Sequence, residues 1–360
     1  MSESLPRPEH GGNPQQVPAE SAWGPMLDLA TGINPWPWPV PADCLGSLDK
    51  LPYFDRKLQQ AAAAYYRVLP TQLLATSGSQ TPIQLLPQWV SPGRVALPGP
   101  AYEEHAYRWQ GAGHHCRFFD HDQVAQVDDL IGRGELDHLV LVSPNNPTGC
   151  RYSTRDILRW RQQLPANNML LVDQAYADVL DDNGDCATLV NAGVTVLRST
   201  GKFFGLPGLR LGFVLGAPTL LAQLEEAQGP WAVNSLAQAA GARMLADQQW
   251  HGHMRTHLQQ AAQRQGARIG QVFGEVAGTV ITPLFISQVF SLGFALALQQ
   301  RCYSFGLSVR VYHWGEQGVV RWGLAADEDA LFIRLAALAD SLVVSPLAWE
   351  SVTDRHAVNA

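Results

Sequence analysis

The clearest chemical pattern in the chain is a lysine set among glycines, with an arginine eight residues later: Ser199-Thr200-Gly201-Lys202-Phe203-Phe204-Gly205-Leu206-Pro207-Gly208-Leu209-Arg210-Leu211-Gly212. A lysine amine becomes an imine-forming nucleophile when burial and nearby charge let it lose its proton. An arginine offers a planar fork to a phosphate, and the small residues allow close backbone approach to a ligand. Taken alone, such a lysine is most often a solvated loop residue. A second pattern is Leu170-Leu171-Val172-Asp173-Gln174-Ala175-Tyr176, in which a carboxylate ends an apolar run. Ligands of open α/β sheets lie beyond the carboxyl ends of the strands, where a carboxylate can keep a ring nitrogen protonated; the plain alternative is a turn or a helix cap. Ser143-Pro144-Asn145-Asn146-Pro147-Thr148-Gly149 is a rigid turn after another apolar run, whose Asn amide could donate to a phenolate oxygen. Thr76-Ser77-Gly78-Ser79-Gln80-Thr81 exposes backbone N–H groups at a helix start, which suits a phosphate as well as an ordinary cap.

The elements that must position these groups alternate. Strands are expected at Arg94–Leu97, Leu139–Val142, Met169–Val172, Thr195–Leu197 and Leu211–Leu215. Helices are expected at 54–66, 81–89, 102–110, 153–163 and 217–227. Short, β-branched, fully apolar strands alternating with helices predict an α/β fold with a mainly parallel sheet covered on both faces. Beyond about 233 the pattern changes to helices at 235–247, 254–272, 290–304 and 328–343 around strands near 279–286, 308–312 and 318–322. The expected organisation is a large domain over 50–233, a smaller α+β domain from 1–49 and 234–345, and a tail over 346–360. No fixed-period repeat is present.

Composition excludes several classes. With 360 residues, 46% of them hydrophobic and 16% charged, the chain can bury a large core. A net charge of −7 and the absence of any Lys/Arg block give nucleic acid no electrostatic footprint. Cys44, Cys116, Cys150, Cys186 and Cys302 are scattered and form no CxxC pair, so neither a disulfide framework nor a metal site is expected. The polar, Pro-rich start lacks a secretory pattern, and no stretch reaches about 18 apolar residues. A cytoplasmic protein without a membrane partner is the expectation.

In chain order, Gly78–Gln80, Asn146, Asp173 with Tyr176, and Lys202 with Arg210 resemble the fold-type I pyridoxal-phosphate (PLP) enzymes, the aspartate-aminotransferase-like superfamily, over residues 10–343. The resemblance implies PLP as cofactor and Lys202 as its Schiff-base lysine. It makes Asp173 the partner of the pyridine nitrogen and Asn146 and Tyr176 the partners of the 3-oxygen. Tyr102, in Pro98-Gly99-Pro100-Ala101-Tyr102, matches an aromatic stacked on the ring. Gly78, Ser79, Gln80, Ser199 and Arg210 would cradle the phosphate. Tyr53 matches a tyrosine that reaches the neighbouring subunit's phosphate, which implies a homodimer with shared sites. One departure is Gly201, where many relatives carry Ser or Thr before the lysine.

The substrate side narrows the class. Arg321, in Gly318-Val319-Val320-Arg321-Trp322-Gly323, aligns with the arginine that grips the substrate carboxylate, and Asn146 faces the substrate as well. Gly32 and Ile33 belong to the segment that closes over substrate. His10-Gly11-Gly12-Asn13, the run Ala30-Thr31-Gly32-Ile33-Asn34-Pro35-Trp36-Pro37-Trp38-Pro39, and Pro230-Trp231-Ala232-Val233-Asn234 together resemble the threonine-phosphate decarboxylases of cobalamin biosynthesis. That family removes CO₂ from L-threonine O-3-phosphate to give (R)-1-amino-2-propanol O-2-phosphate, and its HGGN region helps bind the substrate phosphate, which here would be His10 and Gly11. Lys202, Asp173 and Tyr176 are then the catalytic set. The alternative is a histidinol-phosphate-type aminotransferase using 2-oxoglutarate. A third reading is a PLP-binding protein without turnover, which the presence of Lys202, Asp173, Asn146 and Arg210 disfavours.

Overall fold

A computed structural model describes residues 7–13, 17–18 and 20–344; the tail expected at 346–360 lies outside them. The strands, in chain order, are β1 (Glu20–Ser21), β2 (Gly24–Pro25), β3 (Leu27–Leu29), β4 (Leu73–Thr76), β5 (Arg94–Gly99), β6 (His115–Asp120), β7 (His138–Val142), β8 (Leu170–Asp173), β9 (Thr195–Ser199), β10 (Gly212–Leu215), β11 (Val280–Ile281), β12 (Phe285–Ser291), β13 (Leu307–Trp314) and β14 (Gln317–Gly323). The chain forms two compact units. Among the described residues, the first holds 36–146 and 150–255; the second holds 9–35, 147–149 and 256–344. The first unit thus takes in the helix Ser235–Ala246, which packs on the helix Arg56–Tyr66.

The first unit is built on a seven-stranded sheet of order β4-β10-β9-β8-β7-β5-β6. Its strands β5 to β9 pair in parallel, and only β10 runs antiparallel to its neighbours β4 and β9. The central strands β7 and β8 are buried along their whole length, as parallel strands covered on both faces must be. On one face Ile83, Ala106, Trp109, Leu221 and Leu224, all from helices, pack against Val95, Leu97, Val140, Leu171, Leu197 and Val214. Phe213 points to the other face, where it meets Tyr66 at 5.6 Å between ring centroids. The expected central strands are present; β4 and β6 lay outside the sequence reading, and they are the two edges of the sheet. An edge strand needs no two-sided apolar run, and β6 exposes four of its six residues.

The second unit has a five-stranded sheet of order β11-β12-β14-β13-β3, antiparallel except where β3, from the N-terminal segment, adds in parallel to β13 with Leu27 opposite Leu307. The helices Leu292–Ser304 and Glu328–Val344 belong to this unit. The architecture is therefore a large α/β unit with a mainly parallel sheet, and a smaller α+β unit. No helix among the described residues is long and apolar enough to cross a membrane.

Candidate active site

In the first unit the singled-out residues converge because strand direction forces them to. Val142 pairs with Asp173, Asp173 with Leu197, Ser199 with Gly212, and Gly212 with Thr76. The carboxyl ends of β4, β7, β8 and β9 and the amino end of β10 therefore lie along one rim. The loops leaving that rim carry Gly78 and Ser79, Asn146, Tyr176, and Lys202 with Arg210.

Asp173 is 3% exposed, and its carboxylate is held from two sides. The Ala175 N–H donates to Oδ1 at 2.9 Å, and His105 Nε2 lies 2.8 Å from Oδ2. His105 was not singled out from the sequence, because its partner is 68 residues away. Lys202 Nζ stands 5.6 Å from the centroid of the Tyr176 ring. The two asparagines of the Ser143–Gly149 turn divide the work. Asn145 Nδ2 donates to the Pro100 carbonyl at 2.8 Å and anchors the turn, while the buried Asn146 is the next residue along the rim.

The glycines mark where backbone and side chains crowd. A Cβ on Gly78, which has φ +74°, would lie 2.6 Å from Arg210 Nη2, so the guanidinium rests directly over the Gly78 turn. A Cβ on Gly212 would lie 2.6 Å from the Ser79 nitrogen. Gly201 shows why this chain departs from the Ser/Thr pattern: a Cβ there would come within 3.1 Å of Pro207 Cα. Gln80 has its side-chain amide engaged by protein, since Tyr102 Oη donates to Oε1 at 3.1 Å and Nε2 donates to Glu104 Oε2 at 2.7 Å. It therefore fixes Tyr102 at the rim. The PWxVN motif is equally structural: Asn234 caps the helix Ser235–Ala246 through the Ala237 N–H and donates from Nδ2 to the Leu209 carbonyl, next to Arg210. Tyr53 is 74% exposed and meets Trp231 edge-on, with ring centroids 6.1 Å apart.

The second unit carries a different cluster. Arg321 on β14 is directly opposite Arg310 on β13 and Ser287 on β12, so the three share one face of the sheet. Like charges placed opposite each other are unfavourable, yet both guanidinium groups are held. Arg321 is 4% exposed, donates from Nη2 to the Ala30 carbonyl, and lies 5.6 Å from the Phe285 ring and 5.4 Å from the Tyr312 ring. Arg310 lies 5.4 Å from the same Tyr312 ring and donates from Nη2 to the Glu9 carbonyl at 2.8 Å. Glu9 precedes the exposed His10. Gly11 and Gly12 lie on the Ala30–Thr31 segment so closely that a Cβ on Gly11 would be 2.4 Å from the Ala30 oxygen, and Gly12 has φ +78°. A Cβ on Gly323 would be 2.0 Å from the Thr31 oxygen, so the segment carrying Gly32 and Ile33 crosses the end of β14 where only glycine fits. Arg310, like His105, was not singled out from the sequence; its pairing with Arg321 depends on strand register, which spacing alone does not give.

A rim built from a lysine beside a tyrosine, a buried carboxylate with a histidine, and an arginine over a glycine turn defines a class of protein. The chain belongs to the aminotransferase class I and II family, which its residues 46–284 match. PLP is the cofactor of this family, and the residues present fit it: an amine for covalent attachment, a buried anion for the ring nitrogen, and a guanidinium over an open Gly78 turn for the phosphate. Among relatives, the threonine-phosphate decarboxylase of Pseudomonas aeruginosa is 40% identical over 262 residues, covering 71% of this chain and 76% of that one. Among solved structures, the histidinol-phosphate aminotransferase of Clostridium acetobutylicum superposes with a TM-score of 0.77 at 17% identity, over 88% of this chain and all of that one. The L-threonine-O-3-phosphate decarboxylase of Porphyromonas gingivalis superposes with a TM-score of 0.71 at 18% identity, over 88% of this chain and 99% of that one. Both structures share the fold with this chain.

Proposed function

We propose that this protein is a PLP-dependent carboxy-lyase that converts L-threonine O-3-phosphate to (R)-1-amino-2-propanol O-2-phosphate and CO₂, a step of cobalamin biosynthesis carried out in the cytoplasm. The observation that carries the substrate reading is the pair Arg310 and Arg321, opposite each other on one sheet face and held by backbone carbonyls of the N-terminal segment. Two cations placed together at a cost are accounted for by a substrate with two anionic groups. A carboxylate on Arg321 and a phosphate near Arg310 and the His10-Gly11 segment satisfy both. Such charge-assisted pairs are worth about 1.5–3 kcal/mol each.

Bound PLP would be held by Lys202, Asp173, Asn146, Tyr176, Tyr102, Ser79, Ser199 and Arg210, and it supplies an electron sink for the pair left at Cα when CO₂ departs. The chain's own groups do the rest. Asp173, held by His105 and the Ala175 N–H, presents a carboxylate already oriented by two partners. Lys202 Nζ returns a proton to Cα. Arg321 grips the substrate carboxylate in this reading.

The protein acts as a homodimer in this reading. Leu45, Leu48, Leu51, Tyr53, Phe54 and Trp231 of the first unit are all exposed apolar residues, and a second copy of the chain would cover them while bringing Tyr53 to the neighbour's phosphate site. The test is to mix PLP-loaded protein with L-threonine O-3-phosphate in the absence of any keto acid. Release of CO₂ and aminopropanol phosphate is the expected result. No CO₂, together with conversion of the cofactor to its amine form by histidinol phosphate, would replace this reading with the aminotransferase.

A further inference from the structure

A buried polar cluster outside the rim is centred on the fully buried Arg198 of β9, which precedes Ser199. Its guanidinium reaches across to the segment that leaves β8 after Asp173. Nη2 donates to Asp178 Oδ1 and, at 2.5 Å, to Asn183 Oδ1. Nη1 donates to Gln174 Oε1 at 3.0 Å and to the Asn183 carbonyl at 3.1 Å. The Tyr66 ring lies 4.8 Å beneath the guanidinium carbon. Arg255 Nε holds the Asp178 carbonyl at 3.0 Å, and Gln174 Nε2 donates to the Gly184 carbonyl at 2.7 Å. Gln174 is the neighbour of Asp173, and Asp178 lies two residues past Tyr176.

We propose that Arg198 and Asp178 are a positioning pair that fixes the turn bearing Asp173 and Tyr176 relative to the turn bearing Ser199 and Lys202. The inference rests on the reading of the rim as a PLP site. Stability alone does not account for the pair. A buried ion pair is often no better than well-packed apolar residues of the same volume, and Arg198 Nε has no hydrogen-bond partner among the described residues. What an apolar side chain lacks is reach: one guanidinium grips Gln174, Asp178 and Asn183 at once and so sets the path of the whole segment after Asp173. Burial acts most strongly on Arg198 and penalises its charge, but Asp178 and the other groups around it together outweigh that penalty and raise its pKa.

The experiment uses the full-length, cofactor-loaded protein and the double variant Arg198→Met/Asp178→Leu, which removes both charges together. Four quantities are compared with wild type: Tm, kcat, KM for L-threonine O-3-phosphate, and the visible circular dichroism of the bound cofactor, which reports its tilt. The expected result is a folded protein with kcat lowered about 10- to 100-fold, KM within about threefold, and a visible band reduced by about half or more. A folded double variant with wild-type kcat and a wild-type band overturns the proposal and leaves the pair as core packing. If the double variant does not fold, Arg198→Lys carries the test, since it keeps the charge but not the fork. Loss of kcat and band at retained Tm supports positioning, and no change in either overturns it. Should wild type itself release no CO₂, the functional reading fails, and the dichroism still decides on the pair.

Discussion

The two units hold their polar groups in different ways. In the first, Asp173, Asn146, Ser199 and Lys202 stand at or just beyond the ends of adjacent strands, and Asp173 is fixed by its chain neighbour Ala175 and the buried His105. In the second, Arg310 and Arg321 come from the middle of a hairpin, and the groups that fix them are carbonyls of Glu9 and Ala30, some 300 residues away in sequence. A rim of strand ends suits a resident cofactor, because its geometry is set by the register of one hydrogen-bonded sheet. A pair of arginines tied to an N-terminal segment suits a substrate that comes and goes. The comparison predicts that damage to the first unit lowers kcat, and that damage to the second raises KM.

The largest effect is expected for Lys202→Ala, which removes both the covalent anchor and the proton carrier. Decarboxylation should fall by about three orders of magnitude or more, and the absorbance of covalently attached cofactor should vanish. Retained activity above about a tenth of wild type would break the assignment of the rim. Next come the arginines. Arg321→Gln should lower kcat/KM by about 10²-fold or more, and Arg310→Gln by about 10- to 100-fold, most of it in KM. Steady-state kinetics with L-threonine O-3-phosphate read both, and a fall confined to kcat for Arg310→Gln would erase the distinction between the units. His105→Phe leaves one oxygen of a buried carboxylate without its partner and should lower kcat about tenfold at nearly constant KM.

How much of this was legible in the sequence follows the same division. The rim was legible because each strand end carries its functional residue within a few positions of an apolar run, so that SPNNPTG, LLVDQAY and the Lys202–Arg210 loop can be read locally. Direction was also legible, since alternating helices and strands impose parallel pairing. The partners were not. His105 meets Asp173 through tertiary packing, and Arg310 meets Arg321 only through the register of β13 on β14. The HGGN and PWxVN motifs signalled the class of relative, but their physical content emerged from the fold. Gly11 and Gly12 permit close approach to Ala30 and Thr31, while Asn234 caps a helix and braces Leu209. The Trp-Pro run is explained in the same way. Trp38 is buried, its N–H donates to the Phe204 carbonyl at 2.9 Å, and its Nε1 donates to Asp247 Oδ2 at 3.0 Å, so it braces the Lys202 loop from outside.

The smallest effect concerns acid, and it should fall on the first unit. His138, at the amino end of β7, has both ring nitrogens committed: Nδ1 accepts from the Met169 N–H at 3.0 Å, and Nε2 donates to the Ser91 carbonyl at 3.0 Å. Burial lowers its pKa below the usual value of 6.5, the Ser91 hydrogen bond opposes the shift, His114 adds to it, and Asp137 opposes it weakly. The folded state thus holds His138 neutral, whereas the unfolded chain takes up its proton near pH 6.5. Its contribution to stability is fully present above that pH and is lost as pH falls below it, at no more than about 1.4 kcal/mol per pH unit for one proton. Asp137, whose pKa the Arg94 side-chain hydrogen bond pulls down to about 2, titrates well outside this window. A His138→Gln variant keeps an acceptor and a donor without the titration, so its Tm should fall less steeply than that of wild type between pH 7 and 5. Parallel Tm curves for the two proteins would show that the acid response of the first unit lies elsewhere, with the buried His251, whose pKa is also lowered by burial, as the group to change next.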